Sequence, residues 1–294
     1  MDFRKLKGKK RKEILRIFLG KITVGKGKKK KVSTHLKIFV VRSLEFPPSQ
    51  ISESLRDLYY QEDVPKHFKR FMNKFRIEIN QLNNEDHHLI IENLRSKKKI
   101  HYVIFPEEKY WTLLTLARSD DVDKSLLKIL KSIPQLEPIV ITTHHLESII
   151  HKHHYVEDIV GFIAKYKPYK SKRKITLNVY GGDLEDLRKI REIFFVEPRS
   201  FKYSLSNSPT GLVDGKIFNK GFFTLRRVRE GHQNIAERTI SDLVESFEDV
   251  DSLYENVINY KNAPTILEDG NGVLIKSLYA IIIKIKKERF SKTK

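Results

Sequence analysis

KYKPYKSKRK, residues 165–174, decides how the chain is divided. Its ten residues hold six basic side chains, two tyrosines and no acid, so it has nothing with which to build a buried face. Residues 166–174 therefore read as a basic linker. On this reading the chain has two α+β domains, 33–165 and 175–283, each a small mixed or antiparallel sheet packed with helices. A basic N-terminal arm (1–32) and a basic C-terminal tail (284–294) flank them.

Downstream of the linker, the pattern of Ile175 to Tyr180 is that of a strand. Asp183 then caps a helix ending near Phe195, and a meander runs from Phe201 to Arg229 with turns at Asp214-Gly215 and Asn219 to Gly221. Ala236, Ile240, Leu243, Phe247, Val250, Tyr254 and Val257 recur at alternating spacings of four and three. That seam marks a helix lying on a sheet or facing another helix. A last hairpin at 269–272 leads into a strand at 278–285.

Upstream, Leu6, Ile14, Ile17 and Phe18 suit a short basic amphipathic helix, and residues 35–44 suit a strand closed by Pro47-Pro48. Ser49 opens one helix. Pro65 starts a second that carries Phe68, Phe71, Met72, Phe75, Ile79 and Leu82 on one face. A third helix is expected at 85–94, then a hairpin at 101–105 and 110–117. Three helices followed by a hairpin with a charged tip is the order of elements in a winged helix, so residues 49–117 are a candidate for that DNA-binding module. Further helices are expected from Ser119 to Ile133, from His144 to His154 and around 156–166, with a short strand at 138–143.

The formal net charge of +20 is unevenly spread. Residues 1–31 hold fourteen Lys/Arg against Asp2 and Glu13, and residues 284–294 hold six against Glu288, leaving only +3 for the 252 residues between. Basic ends of this kind attract phosphate. Residues 230–260 run the other way, with eight acids and a single Arg238, so a polyanion must bind elsewhere.

No apolar run approaches the ~18 residues of a membrane span, and neither a signal peptide nor a location outside the cytoplasm is expected. There is no cysteine, which excludes disulfides, thiolate nucleophiles and cysteine-held metals. Many charges with few Gln and Met give a thermophile-like composition.

Candidate nucleic-acid contacts are Lys9, Lys10, Arg11 and Lys12, then Lys28, Lys29, Lys30 and Lys31. They continue with Arg95, Lys97, Lys98 and Lys99, with Lys172, Arg173 and Lys174 in the linker, and with Arg226, Arg227 and Arg229. Lysines and arginines neutralise phosphates, and aromatic rings among them can stack on bases. For a metal, Glu147, His151 and His154 share a helical stripe at i, i+4 and i+3 spacing. Asp120, Asp121 and Asp123 read as first-turn acids serving the helix dipole. The strand–turn at 180–183 has Gly181-Gly182 but lacks the glycines and Lys-Ser/Thr of a phosphate loop.

The chain is thus expected to bind nucleic acid, DNA or RNA, largely through its backbone charge, with no cofactor and no assigned catalytic residue. A metal-dependent enzyme acting on nucleic acid is one alternative. A scaffold that pairs with itself or a protein partner through 236–257 is another, and a membrane-surface anchor through the basic N-terminus is a third.

Overall fold

A computed structural model describes residues 2–25, 34–61, 64, 66–153, 159–166, 175–181, 184–194, 197–205 and 212–261. By compactness the chain divides into residues 1–249, which hold the whole sheet, and 250–294, whose described part is the end of a long helix.

A single 3-10 turn, Phe3–Leu6, and helix α1, Arg11–Ile22, lead into the two-residue strand β1, Thr23–Val24. Strand β2, Leu36–Ser43, is followed by α2, Ile51–Tyr60, and α3, Lys66–Met72. A meander then runs through β3 (Phe75–Gln81), β4 (His87–Asn93), β5 (Lys99–Pro106) and β6 (Tyr110–Thr115). Helices α4 (Ser119–Lys124) and α5 (Leu126–Ser132), strand β7 (Leu136–Pro138) and α6 (Thr143–Lys152) come next. The rest is β8 (Ile159–Tyr166), β9 (Ile175–Tyr180), α7 (Leu184–Phe194), β10 (Glu197–Leu205), β11 (Val213–Phe218), β12 (Phe222–Arg229) and α8 (Gln233–Lys261).

Among the described residues, all the strands join one twelve-stranded sheet in the order β3-β4-β5-β6-β2-β12-β11-β10-β8-β9, with β1 against β12 and β7 against β2. Every pairing is antiparallel except β1 with β12. This overturns the expectation of two domains with a small sheet each. The central pair β2–β12, running from Leu36↔Leu225 to Phe39↔Phe222, fuses the two halves into one sheet. Residues 167–174 lie outside the described residues, but Tyr166 and Ile175 on either side of them pair directly. The last hairpin and strand, at 269–272 and 278–285, also lie outside.

The winged-helix expectation fails as well. Residues 85–94, expected as the helix that would enter a major groove, form β4, and the second helix stops at Met72. Phe75, Ile77 and Ile79 alternate along β3, and Leu89 and Ile91 alternate along β4, so the apolar period is two. Turn chemistry fixes the ends. Asn83 Oδ1 accepts from the backbone N–H groups of Glu85 and Asp86, and Asn93 Oδ1 from those of Arg95 and Ser96. The helix expected at 156–166 is β8, in which buried Ile159 and Phe162 lie among sheet residues and Val160 is exposed. The helix expected from Ser119 to Ile133 breaks at Ser125. Its hydroxyl donates to the Asp121 carbonyl at 2.6 Å and meets the buried Tyr102 hydroxyl at 2.8 Å. The Asp214-Gly215 turn is a bulge inside β11, where pairing shifts against β12.

The two faces of the sheet are covered differently. On the first face, Phe39, Val41, Leu89, Ile91, Tyr102, Ile104, Trp111 and Leu113 form a core with residues of α2, α3, α4 and α5. On the second face lie α1, α6 and α8. Phe247 of α8 meets Phe223 of β12 edge to face at 5.7 Å, and the Tyr110 hydroxyl donates to the Glu248 carbonyl. Residues 2–25, expected as an arm, are part of this layer: Leu6, Ile14, Phe18, Leu19 and Ile22 are fully buried. No helix among the described residues is long and apolar enough to cross a membrane.

Candidate nucleic-acid interface

Strands β12, β11, β10, β8 and β9 have one buried and one open face. Phe162, Phe201, Tyr203, Val213, Ile217, Phe223, Leu225 and Val228 point to the buried side with α8. The intervening positions form a row on the first face: Tyr180↔Gly161, Gly161↔Lys202, Lys202↔Lys216, Lys216↔Thr224 and Thr224↔Lys37. Helices α2 to α5 cover this face only over β2 to β6, so beyond β12 no described helix lies on it. The large side chains there are half-buried or exposed, and Tyr180 reaches 79 % exposure. Small Ser200 and Thr224 sit buried between them.

The open face is aromatic and cationic at once. Lys202 Nζ lies 3.8 Å from the centroid of the Tyr180 ring, and Lys216 Nζ lies 4.5 Å from that of Phe218. A stack runs out from the core: Phe39 on Phe222 at 4.9 Å, then Phe222 on Phe218 at 4.2 Å. Arg227, about half exposed, pairs with Asp214 at 2.6 Å, and Asp214 also accepts from the Ser204 hydroxyl.

At one rim of the sheet, further cations gather. His35 lies beside Arg226 and Lys37, and its pKa is lowered by burial first and by those two charges next. Lys37 is buried, donates to the Ala117 carbonyl, and has its pKa lowered by desolvation against an opposing pull from Asp121. Lys98 pairs with Asp121 at 2.6 Å, and Lys99 is exposed beside it. The β4–β5 turn with exposed Arg95, Lys97, Lys98 and Lys99 opens at this rim, as do Arg226, Arg227 and Arg229 at the end of β12.

Arg11 is at the opposite rim with Lys9, Lys10 and Lys12, and it is committed to the fold. It donates to Asp86 Oδ1 at 2.7 Å, to Glu107 and to the Pro106 carbonyl. Asp86 is 1 % exposed, so this ion pair is nearly dry on its acid side. Lys28, Lys29, Lys30, Lys31, Lys172, Arg173 and Lys174 lie outside the described residues.

The metal candidates do not converge. Glu147 pairs with Arg191 at 2.8 Å, His151 is exposed at the end of α6, and His154 lies outside the described residues. Among the described residues, no group of three or more His, Asp or Glu is placed to hold an ion. The first part of the α8 seam packs within the chain, since Ala236, Leu243 and Phe247 are fully buried. The acids of that helix up to Asp249 lie behind the sheet, where Glu237 pairs with Arg16 and Asp249 with Lys152.

Sequence reasoning missed Tyr180, Lys202, Lys216 and Phe218. Their signal was present: in KYSL (202–205) and KIF (216–218), charged or aromatic residues alternate with apolar ones, as in a strand with one wet face. No protein-family model matches the chain, and no curated protein matches its sequence.

Proposed function

We propose that this protein binds nucleic acid as a single strand laid along the open face of the β12-β11-β10-β8-β9 half of the sheet. The observation that carries the reading is one row of side chains, Tyr180, Lys202 and Lys216, with Phe218 beside it. Rings on a sheet surface offer stacking platforms for unpaired bases, and lysines between them meet the phosphates. Charge polarity supports the same direction. The acids of α8 up to Asp249 lie on the other side of the sheet, where they repel phosphate, while Arg226 and Arg227 extend the positive surface past the row. The basic stretches 26–31 and 165–174 add attraction that is independent of base identity. The reading is of a binding protein, placed in the cytoplasm.

Binding of a short oligothymidylate, followed by fluorescence anisotropy, tests it. Tyr180→Ala is expected to weaken binding by about 1–3 kcal/mol, the value of one stacked base. Ile193→Ala, at an exposed apolar residue on α7, which the Arg191–Glu147 pair ties to α6, is expected to change nothing. Equal affinities for wild type and Tyr180→Ala would remove the sheet face from the account.

A further inference from the structure

The 3-10 turn Phe3–Leu6 lies across the second face of the sheet at its β3–β5 end, where it roofs a pair of histidines. His88 Nε2 and His101 Nδ1 are 3.0 Å apart. Their rings are within 19° of parallel with centroids 5.1 Å apart, so the imidazoles lie side by side as one flat surface. Phe3 stacks over both, at 4.8 Å from His88 and 4.2 Å from His101. The turn is held in place from below. Leu6 is fully buried, the Gly8 N–H donates to the Leu82 carbonyl at 2.8 Å, and Asn83 Nδ2 donates to the Lys9 carbonyl at 2.8 Å.

Beside this roof is a hollow of about 650 Å3. That size suits a small organic ligand, since such sites run to roughly 300–1,000 Å3. Its walls sort by chemistry. Leu82, Ile90 and the flat rings of Phe3, His88 and His101 are apolar or aromatic, Asn80, opposite His88, brings a side-chain amide, and Arg4, Lys7 and Lys99 bring cations. Asp2 is the single acid, and its carboxylate is already turned to the Arg4 backbone N–H at 3.1 Å. The hollow therefore has a net positive rim, flat walls, and groups that donate and accept in-plane hydrogen bonds. Phe3, Lys99 and His101 also border a second hollow of about 360 Å3, which adds Lys21, Lys98 and Asp121.

We infer that the hollow between the N-terminal turn and strands β3, β4 and β5 is a binding site for a nucleoside monophosphate. The base lies against the flat Phe3–imidazole surface with its edge toward Asn80, and the phosphate lies among Arg4, Lys7 and Lys99. A base supplies a flat ring with donors and acceptors on its edge, which amides recognise. A phosphate dianion supplies the charge that three clustered cations require. The imidazole pair is neutral at rest, because burial pushes the His88 pKa down to about 4 and lowers that of His101. An anion beside the pair offsets that lowering and favours its protonation. This site is on the other face of the sheet from the strand-binding row and stands or falls apart from it.

Titration calorimetry of the full chain with AMP, adenosine and inorganic phosphate tests the inference. AMP is expected to bind saturably at one site, with adenosine and phosphate each at least about tenfold weaker, as loss of a charge-assisted contact predicts. Arg4→Ala and Lys99→Ala, both at exposed side chains, are expected to keep the wild-type melting profile and weaken AMP by about tenfold. Lys202→Ala with Lys216→Ala is expected to leave AMP affinity unchanged. Absence of saturable AMP binding at millimolar ligand would overturn the inference. So would phosphate binding as tightly as AMP, or AMP affinity that neither Arg4→Ala nor Lys99→Ala alters.

Discussion

Arg11 joins the first helix to two turns of the sheet, and its contact with Asp86 is the one that stability depends on. The carboxylate is buried, and without the guanidinium it would sit in the protein interior without its cation. Removing one member of such a pair costs about 3–5 kcal/mol. Arg11→Ala is therefore expected to lower the urea unfolding free energy by about 3 kcal/mol, while strand affinity of the folded fraction stays at the wild-type value. Nothing in the run KKRK (9–12) separates Arg11 from its neighbours, because its partners are 75 and 95 or more residues away. Charge runs report where cations are, and only the fold reports which of them are consumed.

His88 makes stability depend on pH. Its pKa in the folded state, about 4, lies below the ordinary 6.5, so the unfolded chain takes up a proton that the folded chain refuses. This contribution is complete above about pH 6.5 and is lost as pH falls toward 4. Discounted for the part of the ring that water reaches, it amounts to about 2 kcal/mol. Urea midpoints at pH 7.5 and pH 5 are expected to differ less in His88→Phe than in wild type. Glu248 behaves oppositely. Half-burial first, then Glu107, Asp249 and Glu245, raises its pKa to about 7. The folded state holds that proton longer, so stability falls as pH rises from about 4.5 to 7. Glu248→Gln is expected to raise the urea midpoint at pH 8 and to leave it unchanged at pH 4. An unaltered pH 8 midpoint would mean that Glu248 is ionised without strain.

At the scale of elements, strands β2, β5, β6, β9 and β12 were legible because their β-branched and aromatic residues leave no helical reading. Strands β3, β4 and β8 were not. Phe68, Phe71, Phe75, Ile79 and Leu82 fall on one helical stripe as readily as the last three fall along a strand and its exit. The decision is made by the Asn83 and Asn93 turns and by pairing to β5, which is a tertiary effect. The β11–β12 turn shows how strictly such connections are specified. Gly221 has φ +70°, and a Cβ there would run into the Ile139 backbone. Gly231 also has positive φ but open space around it. Gly221→Ala is expected to cost about 2–3 kcal/mol, and Gly231→Ala about 1 kcal/mol. Equal losses in thermal melts would show that the backbone conformation, and not the Ile139 contact, sets both.

At the scale of the molecule, the sheet separates charge. The acidic residues of α8 up to Asp249 lie behind it, and lysines and rings lie on the open half in front. Net charge along the sequence showed that phosphate must avoid residues 230–260, and the fold turns that exclusion into a side. The sequence did not show that one sheet runs through the whole body, because the β2–β12 pairing joins residues nearly two hundred positions apart. Nor could it show that the basic start of the chain is part of the fold. Deleting residues 1–32 would remove Leu6, Ile14, Phe18, Leu19 and Ile22 from the core, so the contribution of the ends is not measurable by truncation there. The open face has to be tested with the ends in place.

The most direct measurement is the salt dependence of oligothymidylate binding by the full chain, wild type against the double variant Lys202→Ala/Lys216→Ala. Each phosphate contact on a single strand contributes about 0.7 to the slope of log K against log salt. The account predicts a slope shallower by about 1.4 in the double variant, with weaker binding at every salt concentration. Superimposable salt titrations would contradict it and assign the binding to the charged ends of the chain.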